Sequence, residues 1–130
     1  MKNKQLLGPD GTFYHGKPMR EGDCGGLNAS FKIFKEQRTA IINFGTKLTW
    51  VGVPPTEALM MAASMRNRIE KEFGLLSYDV STLPLKVEAN KETVIVETYF
   101  PSSVDVLVAN PEVFLAWAER MEDAAKELGA

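Results

Sequence analysis

Two stretches of this chain end alike. Residues 69–74 read IEKEFG and residues 124–129 read AAKELG, each closing a run of apolar residues at helical spacing with a glycine. Glycine is the usual left-handed cap at a helix C-terminus. Upstream of the second stretch, Asn110 is a good N-cap, Pro111 suits the first turn, and Glu112 complements the positive end of the helix dipole. Val113, Ala116, Trp117, Met121, Ala124 and Leu128 then recur on one face, with Glu119, Glu122, Asp123 and Lys126 left for solvent. Upstream of the first stretch, prolines again open the pattern, and Ala58, Ala62, Met65, Ile69 and Phe73 make the apolar stripe. In register, Glu57 falls on Glu112, Lys71 on Lys126 and Gly74 on Gly129.

The strand patterns before the helices correspond as well. FKIFKEQRTAIINF from Phe31 lies over LKVEANKETVIVET from Leu85, and LTWVGV from Leu48 over VDVLVA from Val104. Turns at Glu36–Gln37 and Asn90–Lys91 are short enough for hairpins, so the strands run antiparallel. The pattern predicts an α+β fold: a two-layer sandwich from a duplicated β-β-β-α unit, with an antiparallel sheet of about six strands and both helices on one face. Residues 29–74 form the first unit and residues 75–130 the second, in a single domain of 130 residues. Residues 1–28, with GPDG and HGKP turns, read as an irregular segment holding one short hairpin through Thr12–His15.

Alternation assigns the strand faces. Phe31, Ile33, Ala40, Ile42, Phe44, Val51, Val53, Leu85, Val87, Val94, Val96, Val104, Val106 and Val108 are expected under the helices. The opposite face then presents Phe34, Ile41, Leu48, Trp50, Ile95, Tyr99 and Leu107 among Lys32, Asn43, Lys86, Glu88, Glu97 and Asp105. A face this apolar is expected to be covered, because large exposed apolar patches mark interaction sites. The cover is either residues 1–28 or a second copy packed sheet on sheet as a C2 homodimer, and the homodimer is the favoured expectation.

Composition narrows the alternatives. The net charge is −2, so the chain as a whole does not attract nucleic acid, although Lys32, Lys35, Arg38, Lys47 and Lys86 lie near aromatic residues. Residues 1–47 carry eight basic against four acidic side chains and residues 48–130 seven against thirteen, a polarity able to orient a partner. No apolar run has the roughly 18 residues of a membrane span. The single cysteine, Cys24, excludes an internal disulfide and fits a cytoplasmic setting.

Candidate chemistry is thin. His15 and Cys24 stand alone, without the clustered ligand spacing of a metal site or anything that would activate a thiol. GDCGG precedes a strand pattern where a phosphate loop would precede a helix. Glu57 and Glu112 are paired carboxylates in the repeat, but acidic residues favour helix starts on dipole grounds alone. Met60, Met61 and Met65 could line a small-ligand pocket between helix and sheet; filling gaps in the core is the plainer reading. The sequence therefore predicts a non-catalytic interaction module without metal or cofactor, which self-associates or binds a protein partner; a small-molecule-binding protein or minor enzyme is the alternative.

Overall fold

A computed structural model describes residues 6–7, 13–14, 30–48, 50–79, 83–90, 93–99 and 104–130, with backbone alone at 6–7, 13–14, 44–48, 50–51, 90 and 104. The elements are β1 (Leu6–Leu7), β2 (Phe13–Tyr14), β3 (Ser30–Phe34), β4 (Thr39–Leu48), β5 (Trp50–Val53), α1 (Pro55–Phe73), β6 (Leu85–Asn90), β7 (Thr93–Thr98), β8 (Val104–Ala109) and α2 (Pro111–Glu127). The fold is α+β: two helices and two three-stranded antiparallel sheets, plus the small β1–β2 ladder. That ladder pairs Leu6 with Tyr14 and Leu7 with Phe13, and it lies against β5.

Both helices form where caps and periodicity place them. Asn110 Oδ1 accepts the Val113 N–H at 2.8 Å, satisfying one of the donors that a helix start leaves unpaired. Gly74 stops α1 at φ 74°, its N–H donating to the Glu70 carbonyl at 2.8 Å. Ala58, Met61, Ala62, Met65 and Ile69 are buried on α1. On α2 the buried set is wider than the expected stripe, adding Pro111, Phe114, Leu115, Ala118 and Ala125, while Val113 and Leu128 of that stripe are only half-buried.

The six longer strands divide into two sheets, of order β3–β4–β8 and β5–β7–β6, where the pattern predicted one sheet. The hairpins β3–β4 and β6–β7 form as expected, but the third strands do not continue their own meanders. β8 pairs with β4, from Ala40↔Ala109 to Asn43↔Val106, and β5 pairs with β7, from Trp50↔Glu97 to Val53↔Val94. One residue separates β4 from β5, so the chain passes directly from one sheet to the other there. Just before this, β4 carries residues 44–47 opposite Asp105 alone, since Asn43 faces Val106 and Leu48 faces Val104. Extra residues of this kind bend a strand and increase its twist, which is how strands change sheets at a corner.

One core joins both sheets and both helices. Phe31, Ala40, Ile42 and Leu107 from the first sheet meet Val53, Leu85, Val94 and Val96 from the second under Met61, Met65, Phe114, Trp117 and Met121. Phe31 and Phe114 stack obliquely at 5.7 Å between ring centroids, and Phe114 meets Trp117 edge-on at 6.2 Å. Such pairs contribute beyond the area they bury.

Candidate interaction surface

Cross-strand register decides which side chains leave the core. Partners in an antiparallel ladder share a face, so buried Ile42 takes Leu107 with it and leaves the neighbouring pair, Ile41 and Val108, on the outer side. Leu107 is 6% exposed, in the core and not on the outer surface where alternation of the valines placed it. Val106 and Val108, expected in the core, are instead 40% and 61% exposed. The facing of Val106, Leu107 and Val108 is thus inverted relative to expectation, and the cause is the pairing with β4, which a run of VDVLVA read alone does not contain.

The outer surface of β3–β4–β8 therefore presents Phe34 (41% exposed), half-buried Ile41, Val106 and Val108. Lys32 sits opposite Ile41 on β3, and Ser30, Thr39 and Asn43 supply the polar positions. The ladder Lys32–Ile41–Val108 runs across all three strands. Phe34 and Ile41 are where the sequence placed them. Val106 and Val108 were missed, although Leu107 as a cross-strand partner of a core isoleucine would have revealed them.

The outer surface of β5–β7–β6 is more polar. Half-buried Ile95 lies between Gly52 and Glu88, and Glu97 lies between Trp50 and Lys86 in the ladder. Lys86 Nζ is 3.6 Å from Glu88 Oε1, a solvated pair of little energetic weight. Tyr99, just beyond β7, is 63% exposed. The side chains of Leu48 and Trp50 lie outside the described residues, as do His15, Cys24 and the GDCGG segment.

The methionines separate. Met61 and Met65, one helical turn apart, are fully buried in the core, while Met60 is 47% exposed on another side of α1. They do not line one space together. Glu57 and Glu112 also differ. Glu112 receives the Arg38 guanidinium, whereas Glu57 Oε1 is buried without a hydrogen-bond partner among the described residues, and burial pushes its carboxyl above the ordinary range. Arg38 holds the β3–β4 turn in the left-handed region (φ 49°), with its guanidinium 5.5 Å from the centre of the Phe73 ring.

Among the described residues no group of three or more His, Cys, Asp or Glu could hold a metal ion, and no helix is long and apolar enough to cross a membrane. Comparison of the chain with protein-family models, curated proteins and solved structures finds no match.

Proposed function

We propose that this chain is a non-catalytic interaction module that associates with a second copy of itself through the outer face of β3–β4–β8. The observation that carries this reading is the cluster of Phe34, Ile41, Val106 and Val108 on one sheet surface, with Lys32 the only charged side chain described there. A face so nearly neutral offers little to a strongly acidic or basic partner. In a twofold contact Ile41, on the central strand β4, lies at the middle, flanked by Lys32 on edge strand β3 and Val108 on edge strand β8. The same reading takes the two halves as copies of one β-β-β-α unit. Their identical element order supports this, as does the way each half's third strand pairs with the other half's hairpin. A cytoplasmic setting belongs to it too, resting on the lone Cys24.

Size sets the strength. Three strands about 4.8 Å apart and about five residues long at ~3.4 Å each span a footprint of about 250 Å². A stable interface takes about 800 Å² from each partner, so this association is weak and concentration-dependent. Sedimentation equilibrium from about 10 μM to 1 mM tests it: the mass should climb from one chain toward two. Val108→Lys, at an exposed position, should weaken the association at least tenfold, about 1.4 kcal/mol. A single-chain mass throughout, or an unchanged association in Val108→Lys, removes the proposal.

A further inference from the structure

The two halves of the chain complete one another. The β3–β4 hairpin receives β8, the β6–β7 hairpin receives β5, and α1 packs along α2. Polar links cross the same boundary: Arg38 pairs with Glu112 and Arg66 with Glu122. So does the Phe31–Phe114 stack. Neither half contains a finished sheet or a closed core. Each presents a strand-accepting edge, β4 or β7, whose partner strand belongs to the other half, the geometry by which edge strands bind peptides.

A single connector, Gly74 to Pro84, joins the halves covalently. Leu75, half-buried against the core, and buried Leu83 anchor its ends, and residues 76–79 between them are held loosely. Arg66 Nη2 reaches the Leu76 carbonyl at 3.5 Å and the Tyr78 N–H reaches Glu119 Oε1 at 3.5 Å, both at the long limit of a hydrogen bond. Leu76, Ser77, Tyr78 and Asp79 are exposed. Redirecting residues 76–79 therefore gives up these two long hydrogen bonds, while the contacts between the halves can be made between two chains.

We infer that the acceptor edges β4 and β7 are binding sites for β8 and β5 of a second copy, giving a dimer with exchanged halves. Contacts between the halves are the same in the exchanged dimer as in two monomers, so concentration chiefly decides between them. A short flexible link holds its two ends at an effective concentration on the order of millimolar. Refolding at about 10 μM then returns almost entirely the closed monomer, and refolding near 1 mM gives an exchanged fraction at least tenfold larger. This dimer is independent of the outer-face association proposed above: it uses different surfaces, survives Val108→Lys, and separates only as the halves open.

A disulfide reports it. Ala40 and Ala109 are partners across β4–β8 on the helix-facing side, out of reach of any outer-face contact. In a Cys24→Ala background, Ala40→Cys with Ala109→Cys should close within one chain after oxidative refolding at about 10 μM. Near 1 mM, part of the protein should run as a covalent dimer on a non-reducing gel. The unsubstituted chain gives a second readout: refolded near 1 mM and diluted, the exchanged dimer should separate no faster than the chain unfolds, because release requires unfolding. Intrachain disulfides alone at every concentration overturn the inference. If the double-cysteine variant does not fold, an unsubstituted dimer that vanishes on dilution faster than the chain unfolds overturns it equally.

Discussion

The two helices look alike in sequence and sit differently in the molecule. On α1 the buried residues Ala58, Met61, Ala62, Met65 and Ile69 follow one stripe, so one side meets the core and the rest meets water. On α2 five consecutive residues, Phe114 to Ala118, are buried. At about 100° per residue, five in a row go fully round the helix. α2 is accordingly packed on all sides over that turn, with α1 along it and strands of both sheets against it, β6 most closely. The halves share an order of elements, yet the second one supplies the central helix. Similar local pattern does not imply equal structural weight.

Core truncations should expose this difference first. Phe114→Ala is expected to cost about 3–5 kcal/mol, since it empties a site bordered by Phe31 and Trp117. Met65→Ala on α1 should cost less, about 2–3 kcal/mol, because α1 is buried along one stripe only and can settle toward the space. Urea denaturation of both variants measures the gap, and equal losses would erase the distinction between the helices.

The helix ends come next. Asn110→Ala removes the side-chain cap of α2 for about 1 kcal/mol. Gly74→Ala on α1 should cost a similar ~1 kcal/mol, and for a purely conformational reason. A Cβ there would touch nothing within 4 Å, but φ 74° strains any L side chain. Asn at position 74, which tolerates that region better, should recover part of the loss, and thermal unfolding resolves the three variants.

Smallest is the contrast between the helix starts. Glu57 has its pKa raised by burial, so the folded chain holds that proton more tightly than the unfolded chain. Stability then falls as pH rises from about 4.3 through the raised folded value, and is level above it. Glu57→Gln should remove that fall. The gain at neutral pH should be under about 1 kcal/mol, because the group is partly solvated and the helix dipole favours its charge. Below the ordinary carboxylate range the two proteins should be equally stable. A variant less stable than the parent at pH 7 would mean that the charge at this helix start is stabilising after all.

What could be read from the residues was what is local. Asn110, Pro111, Gly74 and the helical stripes mark their ends through neighbours a few positions away, and both hairpins close over short turns. The partner of a third strand has no such local signature. VDVLVA is compatible with either face inward, and only Ile42 across the ladder makes Leu107 the buried residue. Likewise Met60, Met61 and Met65 read as one cluster along the chain, while the rotation of about 100° per residue puts Met60 elsewhere. Half of the outer patch, Phe34 and Ile41, follows from the β3–β4 hairpin alone. The other half, Val106 and Val108, follows from a pairing 65 residues or so away in the chain.

That long pairing has a consequence in time. Ala40 waits for Ala109. With chain growth at about 5–20 residues per second, the interval on the ribosome is on the order of 3–14 s. For most of it the first hairpin is already out with its free edge unsheltered, so a newly made chain in a crowded polysome is most vulnerable to its own siblings before its last helix has been synthesised.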